Sequence, residues 1–160
     1  MFIRLAARDV LIAALLIGLW TVGPQLTSGH GAVFWALSIV SGLGYAVMGF
    51  LLHEWGHLLG SRLSGSVVHP APSLLRPLLF HFDTRVNDRR QFLWMSMGGY
   101  AASALWLTFV VAIADTSRWS GRIGLGFVFV GVIGTFVAEV PTTVRVWRGG
   151  PLPTGPVFRA

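Results

Sequence analysis

Residues Ala32–Ser61 read AVFWALSIVSGLGYAVMGFLLHEWGHLLGS, and the fold class follows from that line. No charge occurs from Val33 to Phe50, and the apolar run continues through Leu58 and Leu59, beyond His53-Glu54-Trp55-Gly56-His57. A helix of this length spans the roughly 30 Å of a bilayer core. Within it, His53 and His57 are one helical turn apart, about 40° around the axis, so both imidazoles face one point. Two such histidines can supply two nitrogens to a zinc ion, and the intervening Glu54 can take a proton from water there. Burying a carboxylate and two imidazoles in hydrocarbon costs several kcal/mol unless they are paired or ligate a metal. The cluster therefore reads as a functional site. The competing readings are a structural polar cluster between helices, or histidines that hold a haem or pigment.

Composition agrees with a membrane protein. Of 160 residues, 54% are hydrophobic and 11% charged, with mean hydropathy +0.69, which is too apolar for a soluble core of this size. The net charge of +6 comes from twelve arginines and no lysine against six acids. Those arginines lie at chain ends and in loops rather than in one patch, so topology explains them better than nucleic-acid binding. With no cysteine in the chain, disulfides, thiolate metal sites and cysteine catalysis are excluded.

The expected fold is an all-α integral membrane protein of about four transmembrane helices, with a re-entrant or interfacial segment between the second and third. The spans run from about Val10 to Leu26, Ala32 to Ser61, Gln91 to Ala114 and Ile123 to Val144, with a turn at Gly29-His30-Gly31. Arg4 and Arg8 precede the first span as in a signal peptide, but no convincing small-residue cleavage site follows, so it reads as uncleaved. Alternate loops carry ten and two arginines, which puts both termini in the cytoplasm, as in a bacterial inner membrane. Residues 1–148 form one membrane domain, and the Gly- and Pro-rich tail 149–160 reads as disordered. Segment Ser66–Phe82 is apolar yet broken by Pro70, Pro72 and Pro77. It is too short and too proline-rich to span.

A catalytic zinc takes three protein ligands and keeps a position for water. Beyond His53 and His57 the candidates are Glu139, Asp83, His81, His69, Asp115 and His30. Counted back from Arg62 and Arg145, the motif and Glu139 lie at the cytoplasmic ends of spans two and four, within about one helical turn of each other in depth. Asp115 and His30 fall at the opposite surface. Glu139 is therefore the expected third ligand, with Pro141 two residues later expected to loosen the helix there. Snorkelling of Glu139 to pair with Arg145 is the alternative. Asp83 and His81 are reserve ligands, and His69 reads as a solvated loop residue. In this reading Glu54 is the general base. No dedicated oxyanion donor is evident, because a solvated loop facing anionic lipid accounts for Arg85, Arg89 and Arg90.

With His53, Glu54, Gly56 and His57 matching HExGH on a helix near the cytoplasmic face, the chain resembles the site-2-protease-type intramembrane zinc metalloproteases. Met97-Gly98-Gly99-Tyr100-Ala101-Ala102-Ser103 is similar to the glycine-rich stretch by which that family's next core helix packs against the site. The resemblance covers roughly Leu43 to Val144. It implies a Zn2+ cofactor and cleavage of transmembrane or signal-peptide-like protein substrates within membrane lipid. The family's later Asp-Gly ligand motif is absent, and Ala138-Glu139-Val140-Pro141 stands in the matching place. No soluble PDZ-like domain is present, and a partner subunit or homo-oligomer is expected for so small a scaffold. Two other functions compete: a non-proteolytic metal-binding subunit, and a haem- or pigment-binding subunit of a membrane complex.

Overall fold

The computed structural model describes residues 1–22, 31–155 and 158–159. Four helices make up most of it: α1 (Phe2–Val22), α2 (Ala32–Leu63), α3 (Arg89–Ile113) and α4 (Trp119–Trp147). Three strands complete it: β1 (Val68–Pro70), β2 (Phe80–Asp83) and β3 (Phe158–Arg159). The helices α2, α3 and α4 are long and apolar enough to cross a membrane. The expected all-helical membrane architecture is therefore what the chain adopts. The predicted turn around His30 and the last residues of the first predicted span lie outside the described residues.

The helix α1 begins eight residues before the predicted span and takes in Arg4, Arg8 and Asp9. A helix tolerates charge wherever the side chains find partners, and Arg8 and Asp9 do. Arg8 Nε donates to Asp9 Oδ1 at 2.7 Å, and Trp55 Nε1 donates to Asp9 Oδ2 at 2.9 Å. The start of α3 is also earlier than the apolar pattern predicts, because Asp88 and Gln91 form a reciprocal capping box, which satisfies two otherwise orphaned backbone donors. The helix α4 runs through Pro141 without a break, although proline removes one backbone bond there.

At the centre of the bundle α2 packs against the other three helices. Lipid supplies no hydrophobic drive between helices, so close backbone approach and interhelical hydrogen bonds must hold them. The crossing with α3 shows how this is done. A methyl group placed on Gly56 would meet the Gly98 carbonyl, and one placed on Gly98 would meet the Gly56 carbonyl. On the opposite half of the bundle, Trp20 Nε1 donates to Ser41 O at 3.0 Å and Trp106 Nε1 to Tyr45 O at 2.9 Å. Outward faces carry exposed Leu105, Val130, Ile133 and Val137, an apolar surface suited to hydrocarbon.

The Gly98 crossing makes a testable prediction. Gly98→Leu should destabilise the protein by about 3 kcal/mol or more, the upper end of ordinary overpacking, since the atoms it meets are backbone and cannot yield. Gly134→Ala, whose added methyl meets nothing within 4 Å, should leave the melting temperature unchanged or slightly raised. Thermal unfolding in detergent, followed by helical circular dichroism, checks both. Equal melting temperatures for Gly98→Leu and wild type would refute the close crossing.

Segment Ser66–Phe82 takes the form of a β-hairpin. β1 and β2 pair antiparallel with Val68 opposite Phe82, His69 opposite His81 and Pro70 opposite Phe80. Backbone groups that the prolines keep out of a helix are thus satisfied by a ladder. β3 adds in parallel, with Phe82 opposite Phe158. The tail, for which the composition predicts disorder, has Leu152 and Phe158 packed on the core beneath the hairpin. These two apolar side chains have a surface to cover. That core joins Leu5, Leu58, Leu79, Phe80, Phe82, Phe92 and Val146, so α1, α2, the hairpin, α3 and α4 all meet at one end of the bundle.

Candidate metal centre

His53, Glu54 and His57 sit on α2 where it crosses the glycine-rich part of α3. His53 is 3% and Glu54 6% exposed. The α3 glycines make room for the imidazoles, since a Cβ on Gly99 would occupy the His57 ring position. Each ring then finds an acceptor on α3. His57 Nδ1 lies 2.9 Å from Met95 O, and His53 Nδ1 lies 3.0 Å from Gly99 O and 2.9 Å from Ser103 Oγ. A backbone carbonyl can only accept, so both Nδ1 atoms carry hydrogen and donate. In neutral imidazoles this leaves both Nε2 atoms with bare lone pairs.

Those lone pairs converge on a carboxylate from α4. His53 Nε2 is 3.1 Å from Glu139 Oε1, and His57 Nε2 is 3.4 Å from Glu139 Oε2. Two lone pairs and an anion aimed at one another repel unless positive charge lies between them. One protonated imidazole could supply that charge as a hydrogen bond to Glu139, whereas two imidazoliums with ring centroids 4.2 Å apart would leave a poorly solvated like-charge pair. One divalent cation satisfies all three groups together. His53, His57 and Glu139 form the group among the described residues that could hold a metal ion, with ligand atoms within 4.8 Å of one another. Metal–ligand bonds of about 2.0–2.1 Å in tetrahedral array put ligand atoms about 3.3 Å apart. The 3.1 and 3.4 Å separations run to different oxygens of Glu139, and the three ligand atoms as a set lie close enough for one ion to reach them all. The Nδ1 contacts are what ligating histidines require to fix tautomer and ring orientation.

Glu54 faces the same space without joining the cluster. Leu79 N, just before β2, donates to Glu54 Oε2 at 3.2 Å. Beside it lies a cavity of about 210 Å³, bordered by Glu54, His57 and Glu139 and walled by Leu78, Phe80, Phe82, Met95 and Ser96. Thr142 and Thr143 close its α4 side, where Thr143 Oγ1 hydrogen-bonds the Tyr100 hydroxyl at 2.7 Å. An apolar chamber with a few convergent polar groups is the usual form of a ligand or substrate site.

The remaining sequence candidates fall elsewhere. Asp83 is held by Arg85 at 2.9 Å and by His69 at 3.0 Å. Hydrogen bonding from the Arg85 guanidinium, with a further bond from His69, keeps the Asp83 carboxyl well below the usual carboxylate range. His69 is thus engaged within the hairpin, and His81 lies opposite it on β2. Neither belongs to the metal-capable group. Asp115 precedes α4 and pairs with Arg118 at 3.1 Å, far from Glu139 along that helix. His30 is outside the described residues. Glu139 is paired with the two imidazoles, not drawn to Arg145. Residue patterns alone did not reveal the Leu79 amide or the Met95 and Gly99 carbonyls, because backbone donors and acceptors leave no mark in side-chain spacing. Nor did they reveal Ser103 or Asp9, whose side chains reach His53 and Trp55 only across helix contacts.

Comparison with protein-family models, with curated proteins and with solved structures finds no match for this chain. What the site can do therefore rests on its own geometry.

Proposed function

We propose that the protein is an intramembrane zinc metalloprotease of the site-2-protease type, cleaving peptide bonds of membrane-embedded protein segments. The observation that carries this reading is the convergence of two Nε2 atoms and one carboxylate, with both Nδ1 hydrogens tied to carbonyls. Two histidines and a glutamate are a known donor set for catalytic zinc. When bound, zinc would polarise a carbonyl and lower the pKa of water toward about 7.

The chain's own groups supply the rest. His53, His57 and Glu139 would hold the ion. Glu54, buried and adjacent, takes a proton from water as its oxygen adds to the scissile carbonyl. It then gives that proton to the departing amine nitrogen as the C–N bond breaks. The Leu79 N–H bond to Oε2 holds the Glu54 carboxylate in one rotamer. The apolar walls lower the polarity beside the reacting groups, which strengthens charge interactions there. A substrate helix must unwind to reach the site, since helical carbonyls are enclosed by their own turns. Ten arginines toward one end of the expected spans and two toward the other support cytoplasmic termini.

The test is zinc content and peptide cleavage measured together on the purified protein in detergent. Metal-replete protein should carry about one zinc per chain, as a single three-ligand site requires, and cut some members of a panel of labelled transmembrane peptides. A chelator should stop cleavage and added zinc restore it. Protein that takes up no zinc overturns the proposal. Zinc without any cleavage favours the metal-binding subunit instead.

A further inference from the structure

The hydrolytic reading makes no use of Asp9, a buried carboxylate, or of Arg8 beside it. Both belong to a closed ring of contacts that includes the proposed base. Arg8 Nη1 donates to Leu74 O at 2.9 Å and to Arg76 O at 2.7 Å, while its Nε donates to Asp9. Asp9 accepts from Trp55 Nε1, and Trp55 follows Glu54 directly on α2. Leu79, three residues beyond Arg76, donates its amide hydrogen to Glu54. From α1 the ring passes to the hairpin turn, to the base, to its neighbour Trp55 and back to α1.

We propose that Arg8 and Asp9 are positioning residues for Glu54, acting through the turn between β1 and β2. This rests on the hydrolytic reading above. The turn needs an external hold. Between Ala71 and Leu79 it has Pro72 and Pro77, which have no N–H to give. Its own backbone bond is Arg76 N to Ser73 O at 3.3 Å, and Ala71 N to Leu79 O closes its base at 2.9 Å. Two carbonyls of the turn accept from one guanidinium nitrogen, Nη1, which has two hydrogens to give, while Nε stays on Asp9. Asp9 in turn fixes that fork and is itself fixed by the Trp55 indole. Loss of either residue frees the turn, and with it the amide that sets the Glu54 carboxylate. A base displaced by about 1 Å can lose about 100-fold in rate.

The experiment uses the full chain in detergent with two readouts. Hydrogen exchange over residues 74–80 is measured on metal-free wild type, Arg8→Lys, Arg8→Gln and Asp9→Asn; then kcat and KM are measured on the zinc-loaded proteins. Arg8→Gln and Asp9→Asn should speed exchange in that segment about tenfold or more. They should lower kcat by about 10- to 100-fold with KM within about threefold of wild type, the pattern of a disturbed chemical step. Arg8→Lys keeps the charge and carries the same comparison if Arg8→Gln fails to fold. Its single nitrogen can donate to the two carbonyls but leaves no separate N–H on Asp9, so it should fall between. Unchanged exchange in all three variants overturns the proposal, as does faster exchange with kcat intact. A wild type that cleaves nothing overturns the hydrolytic reading and the catalytic part of this one. The exchange result then still decides whether the latch exists.

Discussion

Glu54→Gln should bind zinc as wild type does and lose cleavage by about 1000-fold, within the range of general acid–base catalysis. The substitution is close to isosteric. Its amide oxygen can still accept from Leu79 N, 3.2 Å away in the wild type, so the hairpin and the metal-capable group should stay in place. What disappears is the ability to take and return a proton at the cavity wall. A loss of zinc in this variant would mean that Glu54 is a ligand and not a base. Full cleavage with normal zinc would remove Glu54 from the chemistry and with it the peptidase mechanism derived above. A metal-binding subunit without hydrolytic function predicts no effect at all on its activity in a complex.

Glu139→Gln should weaken zinc binding by more than about 100-fold, since even outer hydrogen-bond partners of metal ligands are worth 10- to 100-fold in affinity. The variant leaves two imidazoles and a neutral amide where two nitrogens and a carboxylate now converge. Asp83→Asn is the matched comparison. Its carboxylate is taken up by Arg85 and His69, so zinc content should remain at the wild-type level. Titration of both purified variants against a chelator of known affinity gives the ranking. If Asp83→Asn loses the metal while Glu139→Gln retains it, the ligand set assigned here is wrong.

The metal-capable group was legible in the sequence for a physical reason: charge is rare in apolar helices. His53 and His57 stood out by helical spacing, and Glu139 by being the one acid within its span at matching depth. The structure brings all three together. The helix count was legible from apolar runs, but helix starts were not. The start of α1 carries Arg4, Arg8 and Asp9, and α3 begins at a capping box, so hydropathy put both starts too late. The hairpin was harder to see. Its strands are three and four residues long, and their pairing depends on each other and on the helices beneath. The alternation Phe80-His81-Phe82-Asp83 is the signal that could have exposed β2, and three prolines nearby obscured it. The donors and acceptors that orient the site are largely main-chain, and no residue pattern encodes them.

The two carbonyls that receive the Nδ1 hydrogens belong to Met95 and Gly99, four residues apart on α3, as His53 and His57 are on α2. The helices run antiparallel there, so the pairs match like teeth of two racks. A slide of α3 by part of a turn, less than about 5.4 Å, would break both bonds at once and turn both rings together. The site therefore has no half-assembled state along that coordinate. Relative to α2, α3 would act as a single detent, with both imidazoles aligned or neither.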